Sequence, residues 1–301
     1  MKYAVESEIQ SDIYGTYEAF AGEQGQVSPP TVSIIMSVYN GEKFLANSIK
    51  SILAQSFPDF ELWVANDGSQ DDSLSVLKHF ARIDARVRYV NQDNIGLTKS
   101  LNRMLRLISG KYIARLDADD LWFPEKLALQ VSRMEQNAAL GVLGTGAIYI
   151  DAAGMNTGVV KTITGERIVR RTLACYNPIL HSSVIMRAKV VLVNGGYDDR
   201  YDCAQDYDLW LRMAHSWALD NLSQPLCARR ITSGMISCTR LRRQRFLALR
   251  SKFAHRSWKF GGKCFWLYCL KDLLVVLLPE YFVARLKQLK QVRTAGSTST
   301  S

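Results

Sequence analysis

Short apolar runs alternate with helix-spaced patterns and polar turns through the first half of the chain. Residues 32–38 form a β-branched run that predicts a buried strand, which breaks at Tyr39-Asn40-Gly41. Phe44, Leu45, Ile49, Ile52 and Leu53 then recur at the spacing of one helix face. The unit repeats: a strand at 60–65, a turn at Asp67-Gly68-Ser69, and a helix capped by Ser73 with Leu74, Leu77 and Phe80 on one side. Further strands are predicted at 87–90 and 112–116, and further helices at 101–108 and 127–134. Strands alternating with helices predict an α/β fold with a mixed, mainly parallel central sheet and right-handed crossovers. The polar turns at Asn40, Asp67 and Asp117 would then meet on one sheet edge, where such folds bind ligands. After the apolar run 141–150 the alternation fails, residues 151–154 read as a hairpin turn, and a less regular second half is expected. Residues 1–30 show no sustained periodicity and end in Pro29-Pro30, and they are expected to form a mobile leader.

Within this pattern one stretch concentrates charge. The apolar run Tyr112-Ile113-Ala114 passes through Arg115 and Leu116 into Asp117-Ala118-Asp119-Asp120. Side chains alternate along a strand, so Arg115, Asp117 and Asp119 leave on one side if the extended conformation persists. Two carboxylates on one face repel unless a cation lies between them, and Arg115 offsets only part of that charge. A divalent metal would complete the balance. The alternative is an acidic turn opening the next helix, with Asp120 as its cap.

Net charge is +10, but it is unevenly spread. From Arg229 onward there are 16 Lys/Arg against 2 Asp/Glu, which leaves the preceding 228 residues at −4. The six cysteines are scattered without a CxxC pair or zinc-type histidine spacing, which suits a reducing, cytoplasmic setting. No apolar export segment is read in the first thirty residues.

Six ordered motifs carry a family resemblance: residues 34–40 (IIMSVYN), 66–69 (NDGS), 94–97 (NIGL), 110–120 (GKYIARLDADD), 195–197 (GGY) and 206–212 (DYDLWLR). Together they resemble family 2 glycosyltransferases of the GT-A fold, of the bacterial polysaccharide-biosynthesis type, over roughly residues 32–237. The resemblance implies inverting transfer from a nucleotide-diphosphate sugar to a hydroxyl of a glycan or lipid-linked glycan. By that resemblance Asp67 binds the base, for which a carboxylate accepting a uracil or guanine N–H is suitable, and Tyr39 and Asn40 belong to the same nucleotide-sugar site. Asp117 contacts ribose or metal, Asp119 holds Mn2+ or Mg2+ at the diphosphate, and Arg115 lies near the phosphates or braces the acidic loop. Asp206 corresponds to the catalytic base and His181 to the acceptor side. Two departures stand out. Gln205 occupies a position where Glu is common, which should reduce repulsion on Asp206. Thr232 stands where many relatives carry a histidine, leaving Arg229, Arg230 or Ser237 as candidates for the phosphates and a third metal ligand unassigned.

The domains read as the leader 1–30, a GT-A unit 31–237, a basic amphipathic helical tail 238–293 and a disordered end 294–301. In the tail, basic residues interleave with Leu, Phe and Trp, and the apolar runs on either side of Lys271-Asp272 are too short to span a bilayer. Interfacial helices seated on the cytoplasmic face of the inner membrane are expected, with docking on the catalytic unit or on a twin chain as the alternative. Homo-oligomerisation is compatible with that alternative. Nucleic-acid binding is a competing class suggested by the basic tail, though the acidic first part opposes extended phosphate contacts. A dinucleotide oxidoreductase is disfavoured because no G-x-G-x-x-G follows the first strand.

Overall fold

The β-branched and aliphatic runs become strands buried on both faces, because helices cover the sheet on either side. The computed structural model describes residues 8–20, 28–232 and 240–277. In chain order the elements of the first half are β1 (Glu8–Asp12), β2 (Gly15–Phe20), β3 (Val32–Val38), α1 (Glu42–Leu53), β4 (Phe60–Asp67), α2 (Ser73–Ile83), β5 (Val87–Gln92), α3 (Leu97–Met104), β6 (Tyr112–Arg115), β7 (Leu121–Trp122), α4 (Lys126–Gln136) and β8 (Leu140–Ile150). The second half adds β9 (Asn156–Val159), α5 (Glu166–Leu173), β10 (Ile185–Arg187), α6 (Ala188–Val193), α7 (Gln205–Met213) and β11 (Ala218–Arg230). The tail supplies α8 (Leu241–Ala254), α9 (Trp258–Gly261) and α10 (Lys263–Leu277).

All strands join one sheet in the order β1-β2-β5-β4-β3-β6-β10-β8-β11-β7, with β9 paired to β8. Its centre, β5-β4-β3-β6, is parallel throughout. Alternation along β3 divides the core: Ile34 and Met36 pack with Leu45 and Ile49 of α1 and Leu77 of α2, while Ile35 faces Leu101 and Met104 of α3 and Trp210 of α7. The carboxyl ends of β3, β4 and β6 therefore lie side by side, and the turns after them share one edge as expected. β10 enters antiparallel between β6 and β8, which makes the second half mixed.

Several expectations are corrected. Residues 1–30, expected to form a mobile leader, contain the β1–β2 hairpin, which extends the sheet beyond β5. Its signal was short: Tyr17 and Ala19 alternate inward on one strand while β1 is largely exposed. Residues 1–7 and 21–27 lie outside the described residues, as do Ser237, the tail beyond 277 and the end 294–301. Ser73 is the first residue of α2 rather than its cap, and its hydroxyl binds Asp71 while accepting the Gly41 N–H. The helix expected at 101–108 begins at Leu97, directly after Gly96.

Lys271-Asp272 does not interrupt the tail, since α10 runs through it. Asp272 is buried because it meets Lys252 Nζ at 2.6 Å and Arg245 at 3.0 Å, both from α8. Phe265, Cys269 and Asp272 form the inward stripe of α10, whereas Trp266, Leu267, Leu270, Leu273, Leu274 and Leu277 are exposed. α8 in turn grips α7: buried Asp208 accepts from Ser251 Oγ at 3.0 Å and lies 2.8 Å from His255 Nε2. The tail is thus docked on the α/β unit. Among the described residues no helix is long and apolar enough to cross a membrane.

Candidate active site

β6 ends at Arg115 and the chain leaves extended geometry, with Ala118 and Asp119 in a turn. The three acidic side chains consequently have three different environments. Asp117 is clasped by the Arg115 guanidinium, with one contact at 2.8 Å, and by Ser182 Oγ at 2.6 Å. Burial pushes its carboxyl up, but the charge of Arg115 and the Ser182 hydroxyl outweigh it and hold it below the usual range. Asp120 is buried beneath the turn and accepts the Arg230 N–H at 2.7 Å. Burial, then the charges of Asp117 and Asp119, push it up to about 8. Asp119 has no ion-pair partner among the described residues and is pushed up to about 6 by burial and by Asp117.

Part of this donor set suits a divalent cation. An unpaired carboxylate whose proton affinity is raised by a second carboxylate is suited to a hard cation that shares its remaining positions with phosphate oxygens. Asp119 fits that role best, because Asp117 is already engaged by Arg115 and Ser182. No cluster of three or more His, Cys, Asp or Glu ligands occurs among the described residues.

The acidic loop lines a cavity of about 870 Å3 together with Asn177, His181, Asp206, Lys161, Arg229, Arg230 and Thr232. α8 contributes Gln244, Arg245, Ala248 and Lys252 to its lining. Asp206 stands at the start of α7 and accepts from Asn177 Nδ2 at 2.8 Å. Burial raises its pKa, with the Tyr207 amide and Arg115 opposing and Asp117 adding to the shift. The residue before the helix, Ala204, has φ +60°, a left-handed conformation that costs a Cβ-bearing residue about 1–2 kcal/mol. His181 is also on the cavity wall, but its Nε2 is 2.8 Å from Tyr197 Oη and its ring abuts Trp210 edge-on. Burial and the nearby Arg115 push it well below 6.5, so the ring is neutral near pH 7.

Tyr39, Asn40 and Asp67 do not line this cavity. They stand at the ends of the neighbouring strands β3 and β4 on the same sheet edge. Tyr39 is 54% exposed. Asn40, at φ +50°, joins the two loops: its N–H reaches Ser69 Oγ and its side chain accepts the Gln70 N–H. Asp67 is buried and accepts from Gln92 Nε2 and the Ile95 and Gly96 amides at 2.8, 2.8 and 3.0 Å. Gly68 is required because a Cβ there would lie 2.6 Å from the Asn94 nitrogen. Arg230 is committed to bracing: it donates to the carbonyls of Asp119 and Asp151 and lies over the Phe44 ring. Sequence reasoning missed Ser182, Asn177 and Gln92, whose roles depend on contacts 25 or more positions away.

The chain resembles Staphylococcus aureus TarS (residues 1–349) in complex with UDP-GlcNAc, with a TM-score of 0.60 at 16% identity over 83% of this chain and 82% of that one. It also resembles the mannosyltransferase PcManGT of Pyrobaculum calidifontis in complex with GDP-Man and Mn2+, with a TM-score of 0.56 at 16% identity over 90% of this chain and 84% of that one. These similarities identify the fold class as GT-A, a mixed α/β unit built on a mainly parallel sheet. Residues 33–192 match the profile of Glycosyl transferase family 2, more than half of the chain, and the protein belongs to that family. Among its relatives, the O-antigen biosynthesis glycosyltransferase WbnJ of Escherichia coli is 34% identical over 66% of this chain and 79% of its own. EpsE of Bacillus subtilis (strain 168), which carries a glycosyltransferase name, is 38% identical over 62% of this chain and 67% of its own.

Proposed function

We propose that the protein is an inverting, metal-dependent hexosyl- or N-acetylhexosaminyltransferase. In this reading it moves a sugar from a nucleotide-diphosphate donor to a hydroxyl of a glycan or lipid-linked glycan during cell-surface polysaccharide synthesis. The observation that carries the reading is one cavity holding both the Asp117–Asp120 loop and the Asp206 carboxylate. The names of WbnJ and the UDP-GlcNAc complex of TarS support the substrate class. Nucleic-acid binding and dinucleotide oxidation gain no support from the family.

Asp206 takes the proton of the acceptor hydroxyl as that oxygen attacks the anomeric carbon, and the bond from this carbon to the diphosphate oxygen breaks. Asn177 orients the carboxylate by donating to it, and the Tyr207 amide and Arg115 favour its ionised form. Asp119, with Asp117 beside it, would hold Mn2+ or Mg2+. When bound, such an ion supplies charge neutralisation at the departing diphosphate. Lys161 and Arg229, which have no ion-pair partners among the described residues, offer further positive charge on the cavity wall. On the nucleotide side Asp67 uses three of its four acceptor sites internally, leaving one for a base N–H, and exposed Tyr39 offers a ring for stacking. His181 shapes the acceptor side as a neutral, hydrogen-bonded ring. The exposed apolar side of α10, beside the arginines of α8, seats the enzyme on the cytoplasmic face of the inner membrane.

Asp206→Asn tests the base assignment. Turnover should fall by roughly 10²–10⁴ while donor affinity stays near wild type. Transfer from UDP-GlcNAc and GDP-mannose would be measured beside calorimetric binding of the same donors with Mn2+ and with EDTA. Near-normal turnover would remove Asp206 from the mechanism, and binding unaffected by EDTA would remove the metal from donor recognition.

A further inference from the structure

The β1–β2 hairpin lies on the outer edge of the sheet, yet its turn is connected to the nucleotide loop through buried side chains. Asp12 forms a two-point pair with Arg103 of α3, at 2.9 Å to Nε and 2.7 Å to the terminal nitrogen, which also donates to the Gly15 carbonyl. The guanidinium lies 4.4 Å from the Tyr17 ring centroid and is almost completely buried. Its other terminal nitrogen donates to Gln92 Oε1 at 2.8 Å. Gln92 Nε2 then donates to Asp67 Oδ1 at 2.8 Å and to Ser100 Oγ at 2.9 Å.

The direction of this chain is fixed by chemistry. Arginine carries only donors and an ionised carboxylate only acceptors, so a glutamine between them has one satisfactory orientation, oxygen toward Arg103 and NH2 toward Asp67. Without Arg103 the buried Gln92 oxygen loses its donor, and the amide is held only at its NH2 end, by Asp67 and Ser100. The hairpin thereby braces a side chain that donates to Asp67, two side chains from its own turn. Asp67 in turn holds the Ile95 and Gly96 amides where α3 begins, so α3 is tied to this network at its start by Gly96 and near its end by Arg103.

We infer that Asp12, Arg103 and Gln92 are positioning residues for nucleotide recognition, with the hairpin serving as the back support of the Asp67 loop. The inference rests on the proposal that Asp67 receives the base. Hairpin anchoring would then set donor affinity and leave the chemical step to Asp206.

The test uses the full chain with UDP and GDP as probes. Asp12→Asn and Gln92→Leu should each weaken nucleotide binding about tenfold, the scale of one lost hydrogen bond to a charged group. Turnover at saturating donor should stay within about twofold. Amide exchange at Ile95 and Gly96 should accelerate in both variants. In the unmodified protein, nucleotide should slow exchange in residues 16–20, because coupling between two sites is reciprocal. Wild-type affinity in Asp12→Asn would overturn the inference, as would hairpin exchange that ignores nucleotide in the unmodified chain. Asp67→Ala separates the two levels. Lost binding there with normal binding in Asp12→Asn leaves the base assignment standing without the hairpin, and normal binding in Asp67→Ala removes both.

Discussion

Lys126 is fully buried under the sheet, with its ammonium 3.8 Å from the Trp122 ring centroid and 2.6 Å from Gln130 Oε1. Gln130 cannot turn away, because its NH2 serves the carbonyls of Leu143 and Ser183. Burial drags the lysine down to about 7. Between that value and its ordinary 10.5 the unfolded chain binds the proton and the folded chain does not, so this residue makes stability rise with pH across that window. Below about pH 7 its full desolvation cost is present. Lys126→Met should therefore raise stability by a few kcal/mol near pH 6, with the advantage shrinking toward pH 10. Thermal unfolding of both proteins from pH 6 to 10 checks this, and a pH-independent difference would show that the ammonium stays charged in the fold.

α8 and α10 form a unit whose interior is polar at one point. Lys252 and Asp272 are each about 1% exposed, and they meet where the two helices cross. Removing one member leaves the other charge buried and unpaired, so Lys252→Ala should cost about 3–5 kcal/mol, whereas Lys252→Met combined with Asp272→Leu should recover most of it. Denaturant titration of the single and double variants measures the difference. Because α8 also covers Asp208 on α7, truncation after Ser237 should lower thermal stability and transfer activity together, which makes truncation unsuitable as a test of membrane binding. At this scale the sequence was readable where periodicity was strong. The strands β3 to β6 and helices α1, α2 and α4 follow directly from apolar spacing, and their alternation implies the shared edge. The β1–β2 hairpin was not readable, since only two of its side chains are buried hydrophobics. The acidic run does line the cavity, but its strand-face argument failed at Asp119 because the strand stops at Arg115. Nor does any local pattern indicate that Ser182 and Asn177 supply the hydrogen bonds that hold Asp117 and Asp206.

Across the whole molecule, the α10 side chains Trp266, Leu267, Leu270 and Leu274 stand outside the core that Phe265 and Cys269 enter. Replacing Leu267, Leu270 and Leu274 with Ser should reduce binding to anionic phosphatidylglycerol vesicles at least about tenfold while leaving the unfolding temperature nearly unchanged. Co-sedimentation equal to wild type would place any membrane contact elsewhere. The antiparallel insertion of β10 between β6 and β8 also has a consequence for the order of assembly. A ribosome-bound chain ending before residue 182 contains the parallel strands β5-β4-β3-β6 but lacks the serine that fastens Asp117, 65 positions away. The Arg230 braces to Asp119 and Asp120 close over 111 and 110 positions. Such long closures belong to the late, slow part of folding. The parallel half of the sheet, with the β3 and β4 loops, can thus form during synthesis, whereas the acidic loop acquires its final geometry only after β11 has emerged, and an unfinished chain lacks the complete cavity that the proposed transfer requires.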